Sequence, residues 1–494
     1  MSDVPLKKLI NMRTLRWGST ALAILLVTGI AGFWGFRSLK ACADGVAKQG
    51  QHGECVGVTD GSFHFSEHLA KVEDKIYAEN KRIKDAKKEY VSVAYMTSFT
   101  LTDDDSNSPE SVRRELEGAY LAQYRNNQGD QDGEPKIRLL VANVGSKAEQ
   151  WEYTVERLAE LKDSDDRLVA VAGLGSSTDV TRAAMKRLAE HKLAMVGSVI
   201  TATNLSDIPG LVRVAPTNRD EAHAAAAYLK RSGTKTALVI QDEAEGNLYA
   251  KTLGEEFSKV FPDRAGHRLV GETSTYDSGQ NSWKNELRWM TGPLCNQKPE
   301  MVFFAGRGVH LTHFLDALSN RTCPEQRFTV MAGDDTTNVT PFELAKAAGS
   351  GIDVLYTGLA HPDLGQKDNK AVNPAAAKQV RAGGLLDQWF HEDPREDGQA
   401  IMAHDAVLSA VQGVRMAAAN DGTITGEAVT RMFRQMEHPQ EVPGASGFIS
   451  FANNGDPRNK AVPILRLRPN GSVVLVEVSA PRGVPPTGSD TAVP

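Results

Sequence analysis

Two short hydroxyl-rich segments in the first half of the chain have the residue types of an anion-binding site. Gly175 to Thr178 follows an apolar run that ends at Gly173, and Val199 to Ala202 follows one that ends at Gly197. The amphipathic stretch between them predicts a helix, so in a parallel sheet both segments lie at the carboxyl ends of neighbouring strands, where open α/β folds bind ligands. Hydroxyls and free backbone N–H groups at a helix start suit a carboxylate or another small anion.

Both segments also have a purely structural interpretation. Serine and threonine are common helix caps, so Ser177 and Thr178 could simply serve the helix that follows them. Thr201 could belong to an ordinary turn at a strand end. The residues alone leave these alternatives open.

Other groups of potentially metal-binding or catalytic residues do not form a complete site. Residues 103–107 carry the first three side chains of a calcium loop, but Ser108 stands where that loop needs glycine and Arg114 where it needs glutamate. His310 and His313 lie one helical turn apart without a third zinc ligand, and we interpret them as helix surface or core. Since there is also no phosphate-binding loop and no nucleophile paired with a base, we expect no metal, no cofactor and no enzymatic activity.

Chain length predicts the number of lobes, and the charge distribution excludes one class of ligand. The chain has 494 residues, too many for one compact core, so we expect two lobes with appendages. Its formal net charge is −6, and acidic and basic residues are mixed along the sequence. Because no long Lys/Arg run is present, nucleic-acid binding is excluded.

The N-terminus contains a candidate transmembrane signal-anchor helix at residues 17–37. Residues 17–36 carry no charge and, at about 1.5 Å per residue, span the roughly 30 Å core of a bilayer. Basic residues are denser before this segment, so residues 1–16 are expected in the cytoplasm and the bulk of a single-pass cell-membrane protein outside. A cleaved signal peptide is the alternative, because Leu39 to Cys42 resembles a lipoprotein cleavage box, but Arg37 and Lys40 favour an uncleaved anchor.

The four cysteines form two close pairs beyond that helix, Cys42 with Cys55 and Cys295 with Cys323. Outside the cell such pairs favour disulfides. Spacing does not prove the connectivity, and free buried thiols remain an alternative.

Hydrophobic periodicity predicts an α/β protein. Residues 38–89 are expected to form an extracellular neck with a solvated helix, and residues 481–494 a disordered tail. From Tyr90 onward, apolar strands alternate with amphipathic helices in two similar series. This pattern predicts two doubly wound lobes with parallel sheets, following an N-terminal transmembrane helix.

Six motifs follow one another between roughly Tyr90 and Val478: GLGSSTDV, VITATNLSD, LVRVAPTN, LVIQDEAEGNLYAKTL, YDSGQNSWKNEL and GFISFANNGDP. Their order resembles the type I periplasmic binding proteins, most of all the leucine/isoleucine/valine-binding proteins of branched-chain amino-acid ABC transporters. The resemblance implies two lobes joined by three crossovers and closing on a ligand. Lobe I would comprise residues 90–217 and 357–440, and lobe II residues 218–356 and 441–480.

The resemblance also implies a set of ligand-binding residues. Hydroxyls and N–H groups of the first segment would bind a ligand carboxylate, Thr201 would assist them, and Asp335 would bind an α-ammonium. Arg307 is a departure that favours a ligand with an extra acidic group, pairs with Asp335, or lies exposed outside the pocket. Asp335 could instead cap the following helix or face water. The complete implied set is Ser176, Ser177, Thr178, Ile200, Thr201, Ala202, Tyr249, Arg307 and Asp335.

Together these features predict an extracellular solute-binding protein that captures an amino acid or a related small polar metabolite, as the substrate-binding component of an ABC importer. One alternative is a receptor domain that senses a ligand and relays lobe closure to a partner membrane protein. The other is a scaffold that binds a protein and no solute.

Overall fold

A computed structural model describes residues 41–130, 132–336, 341–367, 372–391, 395–422, 424–437 and 439–479. The strands are β1 (Ala41–Ala43), β2 (Val46–Gln49), β3 (Glu54–Thr59), β4 (Tyr90–Thr97), β5 (Lys136–Asn143), β6 (Leu168–Gly173), β7 (Ala194–Gly197), β8 (Leu211–Arg213), β9 (Thr236–Asp242), β10 (Arg268–Leu269), β11 (Ser274–Tyr276), β12 (Met301–Ala305), β13 (Phe328–Ala332), β14 (Ile352–Thr357), β15 (Val442–Pro443), β16 (Phe448–Ile449), β17 (Val462–Leu467) and β18 (Val473–Ser479).

Helices alternate with most of these strands. They are α1 (Ala70–Asp85), α2 (Pro109–Asn127), α3 (Trp151–Lys162), α4 (Asp179–Glu190), α5 (Asn218–Arg231), α6 (Leu248–Val260), α7 (Trp283–Trp289), α8 (Thr291–Gln297), α9 (Gly308–Ser319), α10 (Pro341–Gly349), α11 (Leu364–Lys367), α12 (Pro374–Val380), α13 (Leu385–Phe390), α14 (Gln399–Asp421) and α15 (Gly426–Phe433). Short 3₁₀ turns lie at Glu67–Leu69, Ser146–Ala148 and Thr203–Leu205.

Two sheets define two lobes. In the first lobe the strand order is β1-β2-β3-β5-β4-β6-β7-β8. Its last five strands, β5, β4, β6, β7 and β8, are parallel to one another. In the second lobe the order is β10-β9-β12-β13-β14-β17-β18, with β11 also paired to β9. Strands such as β4 and β12 are almost continuously apolar because both faces of a parallel sheet are covered. The expected α/β fold with parallel sheets is confirmed.

The chain crosses between the lobes through three short connections. The first comes after β8, where Thr217 caps α5 by accepting from the backbone N–H of Asp220. After β14 the chain returns to the first lobe, where α14 packs against α2 and β6, and after β16 it enters β17 of the second sheet. Gly118 permits the close approach of α2 to α14, since a Cβ there would lie 1.9 Å from the carbonyl oxygen of Ala400.

The segment expected to be a solvated neck is instead part of the first lobe. Strand β3 pairs antiparallel with β5, and β1 and β2 extend the same sheet. The apolar face of α1 is buried, with Ile76 and Ile83 fully covered. Asn80 on α1 also donates to the carbonyl of Leu139 in β5 at 2.7 Å. The many charges of α1 concealed a stripe of apolar residues that belongs to the core.

The cysteine pairing is confirmed, and both bridges lie at the surface of a lobe. Cys42 bonds to Cys55 with a Cα–Cα distance of 6.0 Å, which links β1 to β3. Cys295 bonds to Cys323 with a Cα–Cα distance of 5.8 Å.

The expected transmembrane helix at residues 17–37, the cytoplasmic residues 1–16 and the expected tail at residues 481–494 lie outside the described residues. Within residues 41–479, none of the helices that the structure describes is long and apolar enough to cross a membrane.

Buried carboxyl groups lie beside the first two connections between the lobes. Glu221 on α5 accepts from the backbone N–H of Asp334 at 3.2 Å and from the hydroxyl of Thr357 at 2.6 Å. Burial raises the pKa of Asp334 to about 7 and that of Glu221 well above its ordinary range. The remaining oxygens, Glu221 Oε1 and Asp334 Oδ1, have no other partner in the described part of the chain. The raised pKa values favour one proton shared between the two side chains, which would satisfy both oxygens.

Replacing Ile76 tests whether α1 belongs to the core. We expect Ile76→Ala to lower the free energy of unfolding of the full-length chain in urea by about 2–5 kcal/mol, because it leaves a cavity under the helix. The exposed Lys84 on the same helix is the control, and Lys84→Ala should stay within about 0.5 kcal/mol of the parent. Equal, small effects of the two substitutions would restore the neck interpretation.

The shared proton predicts how stability depends on pH. A carboxyl group whose pKa is raised by folding stabilises the protein fully below its unfolded pKa and loses that contribution as pH rises through its folded pKa. Above about pH 4.3 the contribution of this pair to stability should therefore fall with rising pH, and Glu221→Gln should remove up to about 1.4 kcal/mol per pH unit of that downward slope. Urea unfolding from pH 5 to 8 measures the slope. The exposed Glu255→Gln is the control, and the prediction is wrong if both variants follow the parent slope.

Candidate functional site

A polar cleft of about 840 Å³ opens between the two lobes. Its first-lobe wall is formed by the loops after β4, β5 and β6, and its second-lobe wall by the loops after β9, β11 and β12. All six loops follow the carboxyl ends of strands, the edge at which α/β sheets bind ligands. Polar side chains dominate both walls, so the cleft suits a polar solute.

The loop after β6 presents part of the expected anion site. Gly175 has a φ of +72°, which turns the chain so that Ser176 and Thr178 line the cleft. The Thr178 hydroxyl also accepts from the backbone N–H of Thr181 at 3.1 Å. Thr178 therefore caps α4 and lines the cleft at the same time. Ser177 points the other way and is buried. Its Oγ accepts from the backbone N–H groups of residues 201 and 202 at 3.0 and 3.2 Å.

The loop after β7 does not line the cleft, which differs from the expectation for Ile200, Thr201 and Ala202. Ile200 and Ala202 pack in an apolar core of the first lobe, and Thr201 is buried. The buried Arg213 donates to the carbonyl of Ala202 at 2.8 Å, and the carbonyl of Thr201 accepts from the N–H of Asn218 at 2.7 Å. The main-chain carbonyls of residues 200–202 are therefore already engaged by the protein itself, whereas the buried Thr201 hydroxyl has no partner in the described part of the chain.

Arg307 joins the two lobes at the inner end of the cleft. It is the residue before α9, and its guanidinium donates to Asp335 Oδ2 at 3.1 Å and to the carbonyl of Ser177 at 3.0 Å. The guanidinium carbon also lies 4.9 Å from the ring centroid of Tyr249. Of the alternatives that the sequence leaves for Arg307, the structure shows the pairing with Asp335.

Asp335 and Tyr249 form the floor beneath this guanidinium and do not line the open cleft. The backbone N–H of Asp335 donates to the hydroxyl of Tyr249 at 3.2 Å. Gly333 makes room for that hydroxyl, because a Cβ there would lie 2.4 Å from it. Burial raises the pKa of Asp335 to about 6, although Arg307 beside it acts in the opposite direction. Near neutral pH, Asp335 and Arg307 form a buried ion pair.

Further bonds connect the lobes directly around this point. The backbone N–H of Asp179, the first residue of α4, donates to the carbonyl of Gly246 in the second lobe at 3.1 Å. The N–H of Tyr249 donates to the carbonyl of Ser177 at 3.3 Å. Leu248 of the second lobe packs in the apolar core of the first. The lobes are therefore in direct contact beside the cleft.

Sequence reasoning missed several residues that line the cleft. His310 and His313 on the first turns of α9 flank Trp283, with ring centroids 4.7 and 4.9 Å from it. Burial lowers the pKa of His310 to about 4 against the opposing effect of Asp242, so His310 is neutral at pH 7. Their position directly after β12 could have revealed them by the strand-end rule that found Gly175 to Thr178.

The acidic loop after β4 also faces the cleft, opposite α7. Asp104 in this loop pairs with Lys147 at 3.3 Å, while Asp105 is buried and accepts from the N–H of Lys147 at 2.8 Å. Among the residues with described positions, no three potential metal ligands come together. The cleft offers hydroxyl, amide, imidazole, ammonium and guanidinium groups together with several carboxylates, a set that binds polar solutes through hydrogen bonds.

Comparison with solved structures shows what the fold is similar to. A leucine-binding protein from Thermotoga maritima MSB8 has a TM-score of 0.60 and 19% identity, over 78% of this chain and 98% of its own. An ABC transporter substrate-binding protein from Desulfitobacterium hafniense, in complex with Leu, has a TM-score of 0.59 and 16% identity, over 78% and 100%. A solute-binding protein of an ABC transporter from Rhodopseudomonas palustris BisB5, in complex with 3,4-dihydroxybenzoic acid, has a TM-score of 0.58 and 14% identity, over 79% and 98%.

The sequence itself matches one protein family. No curated protein is similar enough in sequence to count as a relative. The family model for periplasmic binding proteins, however, matches residues 100–472, more than half of the chain. This is a family of binding proteins rather than enzymes, in agreement with the expectation from sequence. The chain belongs to the periplasmic binding protein family.

Proposed function

We propose that this protein is an extracellular solute-binding protein that captures an amino acid or a related small polar metabolite between its lobes. The observation that carries the proposal is the polar cleft at the facing carboxyl ends of two parallel sheets, in a chain that matches the periplasmic binding family over residues 100–472. The named neighbours of similar fold bind leucine or an aromatic acid and belong to ABC transporters. Delivery to an ABC permease is the corresponding role here.

Capture would depend on groups from both lobes. Ser176 and Thr178 would contact the solute from the first lobe, and Arg307 and His310 from the second. A solute that touches both walls shifts the balance between open and closed lobes only by its differential affinity for the closed form. We propose the expected lobe boundaries near residues 217, 356 and 440, with residues 41–89 added to lobe I because their strands and helix belong to its sheet and core.

A second candidate function, a scaffold that binds a protein and no solute, is favoured by one observation. Hydrogen bonds between the lobes already fill the inner end of the cleft, from the Asp179 N–H to the Gly246 carbonyl and from Arg307 to the Ser177 carbonyl. A ligand survey separates the candidates, because a scaffold would bind none of the solutes offered to it.

Blocking the cleft tests the solute-binding proposal. The full-length chain is surveyed by thermal shift and calorimetry with α-amino acids, hydroxy acids, dicarboxylic acids and hydroxybenzoates. We expect Ser176→Trp to weaken binding of any solute found by at least tenfold, since its ring would occupy the cleft, a loss of about 1.4 kcal/mol or more. Ser164→Trp, on the exposed surface of the same lobe, is the matched control.

Two outcomes would count against solute capture in the cleft. Binding that is equally strong in the parent and in Ser176→Trp would place the solute elsewhere. A complete absence of binding across the panel would support the scaffold.

We further propose that residues 17–37 anchor the protein in the cell membrane as an uncleaved helix. The Cys42–Cys55 disulfide supports this over the lipoprotein alternative, because a lipoprotein carries its lipid on the thiol that Cys42 uses here. With the anchor at the N-terminus, the lobes would lie outside the cell, where disulfides persist.

Matched cysteine variants distinguish the two anchors. We expect the full-length protein, Cys42→Ser and Cys55→Ser all to stay in the membrane fraction after an alkaline wash, because an apolar helix of this length is effectively irreversibly inserted. Mass spectrometry should find an uncleaved N-terminal segment in each. Release of Cys42→Ser alone would show a lipid anchor, since both variants lose the disulfide but only one loses the candidate lipid site.

A further inference from the structure

We infer that the Arg307 side chain is a built-in occupant of the cleft, holding the position of a ligand cation, so that the cleft selects acids that lack an α-ammonium group. This rests on the proposed solute-binding function and names the substrate class of the same site. It assigns Arg307 as the residue that determines specificity.

The groups around the guanidinium form a cation-binding set. Asp335 supplies a carboxylate from the second lobe at 3.1 Å, and Ser177 supplies a main-chain carbonyl from the first lobe at 3.0 Å. The ring of Tyr249 lies 4.9 Å from the guanidinium carbon. A carboxylate, a carbonyl and an aromatic face are the groups with which proteins hold ammonium and guanidinium cations. Arg307 is itself buried, so the protein fills this set with its own charge.

The neighbouring acceptors are occupied in the same way. The carbonyls of Ile200 and Ala202 both lie within hydrogen-bond distance of the Arg213 guanidinium, at 3.4 and 2.8 Å. An α-ammonium that entered the inner cleft would have to displace a guanidinium from a carboxylate and would meet a like charge beside it. Both effects oppose binding of an amino acid in that place.

An acid without an ammonium group is not repelled by Arg307, because its carboxylate can accept hydrogen bonds from the guanidinium. A guanidinium has five N–H donors, and the described partners of Arg307 engage two of its nitrogens, through Asp335 and Ser177. Arg307 lines the cleft together with Ser176 and Thr178. Its remaining donors and the two hydroxyls can bind a carboxylate without disturbing the bond between the lobes.

Pairs of solutes that differ only in the ammonium group test this inference. The full-length chain is titrated calorimetrically with L-leucine and L-2-hydroxyisocaproate, and with L-glutamate and L-2-hydroxyglutarate. We expect the parent protein to prefer the hydroxy acid of a bound pair at least tenfold. Arg307→Ala frees Asp335 and the Ser177 carbonyl, so it should reverse the preference. Arg307→Gln gives the same reading where the alanine variant does not fold, and Arg187→Ala, an exposed arginine of the first lobe, should behave as the parent does.

Chemical rescue separates this inference from the proposed function. The four cysteines are paired, so introduced cysteines at the exposed Lys186 and Lys251 carry one spin label on each lobe. Pulsed electron spin resonance should show a longer interlobe distance in Arg307→Ala, which millimolar methylguanidinium shortens again. If methylguanidinium restores the interlobe distance but the parent protein binds no solute, the proposed function is wrong, while Arg307 still occupies a cation site within the protein. An unchanged distance with no response to methylguanidinium, or an unchanged preference within both solute pairs, would overturn the inference.

Discussion

Three largely buried carboxyl groups, Glu221, Asp334 and Asp335, lie near the joint between the lobes, and this concentration of negative charge constrains the structure there. Arg307 is paired with Asp335, and the raised pKa values of Glu221 and Asp334 favour a proton shared between these two carboxyl groups. An isolated carboxylate in such surroundings would be strongly unfavourable. The shared proton removes one of the two remaining negative charges, and the backbone N–H of Asp334 bonds to Glu221 on the helix that follows the first connection.

The shape of the cleft follows from that joint. Where Arg307 and Tyr249 contact the carbonyl of Ser177, the lobes are in direct contact and no solute fits. Farther out, the loops diverge and leave the polar space lined by Ser176, Thr178 and His310. The hydroxyl of Tyr249 reaches the backbone of Asp335 only because residue 333 is glycine. The absence of a side chain at residue 333 therefore allows Tyr249 and Asp335 to form the floor of the cleft.

The sequence predicted the parallel sheets, the cysteine pairs and the strand-end location of Gly175 to Thr178, because strand periodicity, close spacing and loop position are local properties. It did not predict that Ile200 turns into the core, since neighbouring residues in a loop give no indication of which side chain faces outward. It also missed the burial of α1. The packing of that helix depends on Asn80 reaching Leu139 across 59 residues, a tertiary contact that no local pattern encodes.

The Arg307 contacts also bear on whether the protein delivers a solute or reports its presence. A hydrogen bond to a charged group contributes about 1.5–3 kcal/mol, so a bond from Arg307 to Ser177 favours the closed lobes roughly tenfold to a hundredfold without any ligand. A partner that reads closure would then detect little change when a solute binds. A transporter needs only that the solute be held, and preorganised lobes hold it at a smaller entropic cost. The internal bridge therefore favours capture for delivery over sensing.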